Sequence, residues 1–202
     1  RVHRLGVTSI HDVVDLATWR AYQRARRTGR LRLRVYAMPR DPLLPSLAAA
    51  GMMTGLGDEW LRLGAIKVFA DGSLGAYTAA LQEDYIGRAG ERGMLVHTPE
   101  ELRHILEMAH RHGFQTATHA LGDDAIREVV ASLEDVQASA PQKDPRHRIE
   151  HYELPDEDAL RRTKSAGLLV CCQPNFVGQW SGPGDVYETR LGPTRVARNN
   201  PY

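Results

Sequence analysis

The sequence predicts an α/β fold on a mainly parallel sheet. Three observations predict it. Short apolar runs alternate with helical patterns along the whole chain. Most of those runs are rich in β-branched or aromatic residues and poor in charge, as strands covered on both faces are. No Ser/Gly linker or low-complexity segment interrupts the alternation. Strand alternating with helix is the signature of parallel α/β architecture. A doubly wound sheet and a (β/α)8 barrel both fit it. No Gly-rich phosphate loop follows an early strand, which weakens a dinucleotide-binding reading.

The elements follow in order. Strands are expected at Gly6–Ile10, Leu31–Met38, Ala65–Ala70, Gln115–His119, Arg148–His151 and Leu168–Cys172, with about five helices between them. The Leu31 run is the charged exception, since Arg32 and Arg34 alternate with Leu33 and Val35. Asp15 to Gly29 carries a weak helical pattern. Thr98-Pro99-Glu100-Glu101 starts a helix: Thr as N-cap, Pro at the first position, acids in the first turn. Leu102, Ile105, Leu106 and Ala109 continue it, and Gly113 closes it. Asp123 or Asp124 caps the next, with Ile126, Val129, Val130 and Leu133 as one stripe. Pro155-Asp156 opens another, through Leu160 to Gly167.

Composition narrows the function classes. The 202 residues hold 26 Lys+Arg against 25 Asp+Glu, a net charge of +1, which argues against a nucleic-acid partner. Hydrophobic residues at 42% and charged residues at 25% suit a folded globular chain. The longest apolar stretches, Leu47–Met53 and Ala166–Cys172, fall far short of the roughly 20 residues a spanning helix needs, so no membrane role is expected. Two adjacent cysteines, Cys171 and Cys172, make no disulfide framework and point to a reducing compartment, the cytoplasm. The chain opens on Arg1 with no signal pattern and is expected to be one domain over residues 1–202, a piece of a longer protein.

The chemistry is expected at the strand ends, which in a parallel barrel converge on one rim. Those ends carry His11-Asp12, Lys67 with Asp71, His119, Glu150-His151 and Gln173. His119 and His151 are 32 positions apart (151 − 119), about one βαβ unit of roughly 30 residues. Two neutral imidazoles on neighbouring strand ends suit a borderline-soft ion such as zinc; two hydrogen-bonded rim histidines are the alternative. Lys67 sits inside the apolar run Ala65–Phe69. Either its stem packs while its head pairs with Asp71 or Asp12, or it is a lysine of lowered pKa, nucleophilic and open to modification. Cys171 and Cys172 point to opposite faces of a strand and cannot jointly hold one ion. His104, His110 and His112 read as surface, His97 and His147 as solvated, and Trp19 and Trp60 as packing. The loop Asp71-Gly72-Ser73-Leu74-Gly75 either brings backbone amides to a substrate or is a plain turn.

Four ordered motifs carry a resemblance: Lys67-Val68-Phe69-Ala70-Asp71-Gly72-Ser73-Leu74-Gly75, Thr118-His119-Ala120-Leu121-Gly122-Asp123, Arg148-Ile149-Glu150-His151 and Gln173-Pro174-Asn175-Phe176. Leu5-Gly6-Val7-Thr8-Ser9 adds a match to a second barrel strand. Together they resemble the amidohydrolase superfamily, in its family 3 branch of metal-dependent hydrolases, which includes N-substituted formamide deformylase-like enzymes. The resemblance implies a (β/α)8 barrel with one or two divalent metals, usually zinc. It implies that His119 and His151 are metal ligands on strands five and six. Lys67, on strand four, matches the lysine that becomes an N-carboxylated bridging ligand in many relatives, which makes it both metal-binding and catalytic. Asp71, Ser73 and Gln173 would lie near the substrate. The implied reaction is hydrolysis of an amide or related non-peptide C–N bond by metal-activated hydroxide. A deaminase or cyclic-amide hydrolase uses the same scaffold. A non-catalytic ligand-binding barrel is the alternative of another class, and metal content separates it.

Two parts of the family pattern are missing from the chain: a His-x-His pair on the first strand and an Asp on the eighth. The chain is therefore expected to hold strands two to seven, to bind metal weakly or not at all, to leave Lys67 unmodified, and to be inactive by itself. The strands near Val7 and Val170 would be open edges, so self-association is expected.

Overall fold

A computed structural model describes residues 2–201. It divides the chain into two compact units. The first runs to Val68 and takes in Met108–Ala117; the second comprises Phe69–Glu107 and the chain from Thr118 onward.

The first unit opens with a 3-10 turn at Val2–Leu5, and Gly6 takes a left-handed φ of 79°. That conformation cannot continue into a strand. β1 therefore spans Ser9–Val14 rather than Gly6–Ile10, which puts His11 and Asp12 inside the strand and not at its end. α1, Leu16–Arg27, is capped by Asp15, whose carboxylate accepts from the Thr18 amide at 2.7 Å. Arg24, Arg26 and Arg27 close it where the helix dipole favours positive charge. β2, Arg34–Pro39, lies parallel to β1 with Ser9 opposite Arg34 and Val14 opposite Pro39. A short α2, Leu44–Ala49, follows.

β3, Leu61–Leu63, is parallel to β2 and was not expected, because three residues are too few to show a period. β4 spans Ile66–Phe69, and Lys67 pairs in parallel with Arg40 just past β2. Val14, Val35, Ala37 and Leu61 form one core cluster, with Trp19 and Tyr22 packed on it, as expected for Trp19.

The second unit carries α3, Pro99–Arg111, from its start. The expected N-terminus is a reciprocal capping box. Thr98 N–H donates to the Glu101 carboxylate at 2.9 Å, and Glu101 N–H donates to the Thr98 hydroxyl at 3.2 Å. β5, Thr116–Ala120, leads to α4, Asp123–Ser139, which buries the predicted stripe Ile126, Val129, Val130 and Leu133. β6, Arg148–His151, is followed by α5, Glu157–Ser165, capped by Asp156 on the Ala159 amide at 2.7 Å.

β7, Leu169–Cys171, pairs in parallel with β6, Glu150 opposite Cys171. Two helices without a clear sequence period end the chain: α6, Asn175–Trp180, and α7, Val186–Val196, kinked at Gly192-Pro193. The strand orders are β1-β2-β3 and β4-β5-β6-β7. Leu74, Ala79, Leu81, Tyr85, Leu121, Leu154, Tyr187 and Leu191 make the core of this unit.

Two histidines read as exposed are buried. His110 lies four residues past Leu106 on the buried stripe of α3 and is fully enclosed. His147, whose carbonyl accepts from Leu169 N–H at 2.9 Å and extends the β6–β7 pairing by one residue, is enclosed as well. No helix among the described residues is long and apolar enough to cross a membrane.

Candidate active site

The second unit brings two strand-end histidines together. His119 near the end of β5 and His151 at the end of β6 have ring centroids 4.6 Å apart, set edge to face at 72°. Phe69 lies against His119 at 5.1 Å, and Phe176 stacks parallel to His151 at 6.4 Å.

Each ring is held by a different acceptor. His119 Nε2 lies 2.7 Å from the Gly72 carbonyl oxygen. A carbonyl can only accept, so Nε2 carries the proton and the lone pair of the neutral ring is on Nδ1. His151 Nδ1 lies 2.6 Å from Gln173 Oε1. The Gln173 amide nitrogen donates to the Cys171 carbonyl at 3.3 Å, which turns its oxygen toward His151. His151 thus carries its proton on Nδ1 and its lone pair on Nε2. The two neighbouring rings present unlike nitrogens.

Beneath His119 lies a buried carboxylate. Asp71, 1% exposed, accepts from the amides of Ala80 at 3.0 Å, Leu121 at 3.1 Å and Gly122 at 2.9 Å. His119 Nε2 also lies 3.6 Å from Oδ1. The loop from Asp71 to Ala80 is closed by Thr78, whose hydroxyl accepts from Ser73 N–H at 2.9 Å. The approach is so close that a Cβ on Gly72 would sit 2.1 Å from Thr78 Oγ1. Ser73 itself is exposed, its hydroxyl accepting from Ala76 N–H at 3.4 Å. At the outer tip of the loop, the Tyr77 ring is flanked by the guanidiniums of Arg88 and Arg190 at 3.7 and 4.0 Å.

The backbone at the end of β6 is strained. His151 and Tyr152 take left-handed φ values of 75° and 56°. Such conformations cost about 1–3 kcal/mol each in non-glycine residues and cluster at functional sites. They are held by Tyr152 N–H on Ala120 O at 3.1 Å, by Leu154 N–H on Leu121 O at 3.0 Å, and by the buried Tyr152 hydroxyl paired with Thr163 at 2.7 Å.

Sequence reasoning missed Glu153, which is fully buried two residues past His151. Burial pushes its carboxyl up to about 7, the Asp71 charge adds to the rise, and the Tyr187 hydroxyl opposes it. Its signal in the sequence is a single acid between Tyr152 and Leu154 in a strand-end loop. On β6 itself, Arg148 and Glu150 form a buried ion pair at 2.5 Å. Burial, with the Glu150 charge beside it, raises the Cys171 thiol.

Of the predicted site residues, His119, His151, Asp71, Ser73 and Gln173 all belong to the second unit. Lys67 belongs to the first, 4% exposed in β4 between the fully buried Ile66 and Val68. Among the described residues, no three His, Cys, Asp or Glu side chains group to hold an ion. The histidine pair does fit one: two imidazoles, each with an acceptor on one nitrogen, are in their neutral form the donor arrangement typical of zinc-type sites.

A model of the amidohydrolase family matches residues 1–202, and the chain belongs to that family. The solved structures it resembles include two uncharacterized metal-dependent hydrolases. One is from Pyrococcus furiosus, at TM-score 0.86 and 30% identity, covering 98% of this chain and 40% of the other. The other is from Pyrococcus horikoshii OT3, at TM-score 0.82 and 32% identity, covering 98% and 39%. Among curated proteins, LONG AFTER FAR-RED 3 of Arabidopsis thaliana is 32% identical over 70% of this chain and 24% of its own length. YtcJ of Bacillus subtilis (strain 168), whose name places it with the amidohydrolases, is 30% identical over 78% and 29%. The chain thus spans less than a third of these curated relatives and about two-fifths of the solved ones. The α/β class with parallel sheets is the one expected, and the barrel hydrolases of the family share it.

Proposed function

We propose that the protein is a metal-dependent hydrolase of an amide or related non-peptide C–N bond, with His119 and His151 as ligands of a divalent ion, zinc by preference. The observation that carries this reading is the pair of adjacent imidazoles whose lone pairs are set by Gly72 O and Gln173. A bound divalent ion would polarise the scissile carbonyl and acidify water. His119 and His151 bind the ion, and Asp71 acts through His119, because its oxygens are taken up by backbone amides. The exposed Ser73 is placed to meet substrate from the loop after β4. Lys67 is assigned to the same reaction on its match to the family lysine alone. The cysteine usage favours the cytoplasm as its location.

The test is the metal content of the purified full-length protein that contains this chain, and its hydrolysis of N-acyl amines and cyclic amides before and after chelation. The expected result is bound zinc, lost in His119→Asn and in His151→Asn, with C–N cleavage that chelation abolishes. Metal-independent cleavage, or zinc binding unchanged in both variants, would contradict the reading.

A further inference from the structure

We infer that Gln173 is a positioning residue that fixes the tautomer of His151 through its side-chain oxygen. The inference rests on the reading of His151 as a metal ligand and adds the group that makes it one.

Gln173 stands two residues past Cys171, the last residue of β7, and both ends of its amide are used. The nitrogen is spent on the Cys171 carbonyl of its own strand at 3.3 Å. The oxygen reaches across to His151 Nδ1 on the neighbouring strand at 2.6 Å. The parallel register, Glu150 opposite Cys171, brings the two strand ends level. Neutral imidazole has one proton to place, and the acceptor on one nitrogen decides where it goes. With a carbonyl oxygen on Nδ1, the lone pair must be on Nε2.

The neighbouring ring shows the opposite choice. At His119 the acceptor faces Nε2 and is a backbone carbonyl, Gly72 O at 2.7 Å. That acceptor is main chain and is present whatever residue stands at 72, whereas the one at His151 is a side chain and can be removed alone. Partners of this kind typically change metal affinity by about 10–100-fold when lost.

The experiment reads the tautomer directly in metal-free, 15N-labelled chain, through long-range 1H–15N spectra of the histidine rings at about pH 8, where an unperturbed imidazole is neutral. His151→Asn and His119→Asn assign the two ring signals. The wild type is expected to show His151 protonated on Nδ1 and His119 on Nε2. Gln173→Met, similar in size but with no amide oxygen, should move the His151 proton to Nε2 and leave His119 unchanged. Gln173→Glu, which keeps an acceptor, should retain the wild-type signature. Zinc affinity should fall about 10–100-fold in Gln173→Met and recover in Gln173→Glu. A wild-type His151 already protonated on Nε2, or a tautomer unmoved by Gln173→Met, would overturn the inference. If the tautomer moves as expected but the full-length protein binds no zinc, Gln173 keeps its role on the ring and the proposed metal function fails.

Discussion

His119 and His151 stand side by side and are supported in opposite ways. At His119 the support is backbone: the Gly72 carbonyl on the ring, and three amides gathered on Asp71 beneath it. At His151 it is one side chain, Gln173, on a backbone bent through two consecutive left-handed residues. Backbone support is fixed by the fold and costs stability when disturbed. Side-chain support can be removed with the fold intact. Substitutions near His119 should therefore read out first in stability, and those near His151 first in ring chemistry.

The largest effect is expected at Asp71. Asp71→Ala leaves three buried N–H donors without their acceptor and should cost at least about 3 kcal/mol in urea unfolding. A loss under about 1 kcal/mol would show that the amides find other partners and that the backbone support of His119 is not as drawn.

Glu153 comes next. Its folded carboxyl sits near 7 against an ordinary 4.5, so the native state holds the proton more tightly than the unfolded chain. Stability is then greatest below the ordinary value, falls as pH rises toward the folded one, and is flat above it. The full drop is on the order of 3 kcal/mol by linkage. Glu153→Gln should remove that slope and be the more stable protein above neutral pH. Parallel pH profiles of the two would sink the account of Glu153 as a buried, protonated acid.

How far the sequence foretold this differs between the two histidines. Both were visible, because each ends an apolar run with a polar residue at the place where parallel sheets put their chemistry. Gln173 was visible for the same reason, but its hydrogen bond to a ring was not, since only the β6–β7 register sets the two strand ends level. The support of His119 was invisible in principle: a carbonyl and three amides belong to every residue type, so nothing in the letters marks Gly72 O as an acceptor.

The fold shows the same contrast. Strands β4 to β7 and helices α3 to α5 were expected nearly where they are, from apolar runs and caps. The start of β1 was misplaced because the left-handed turn at Gly6 leaves no apolar signal. α6 and α7 escaped notice because neither carries a clear apolar stripe. His110 escaped because polarity was weighed above its place on the i, i+4 stripe of Leu102 and Leu106.

Gly72→Ala should cost about 1–3 kcal/mol, because the added methyl meets Thr78 Oγ1 at 2.1 Å and the loop must shift. The same shift should loosen the carbonyl on His119 and leave His151 unmoved. Equal perturbation of both ring signals would break the distinction between the two supports.

The smallest effect concerns association. β1 and β7 each end a strand order, and Leu169 and Val170 of β7 are 39% and 40% exposed. Edge pairing between copies is the expected consequence. Light scattering should show mass above the monomer that dilution reverses. A dilution-resistant monomer would contradict it.

The most direct test of the central claim follows both rings while zinc is added to the full-length wild-type protein. The expected result is that zinc perturbs Nδ1 of His119 and Nε2 of His151, while the protons on the opposite nitrogens stay in place. Zinc acting on the same nitrogen of both rings, or on neither ring, would contradict the account of two histidines turned to unlike faces by Gly72 and Gln173.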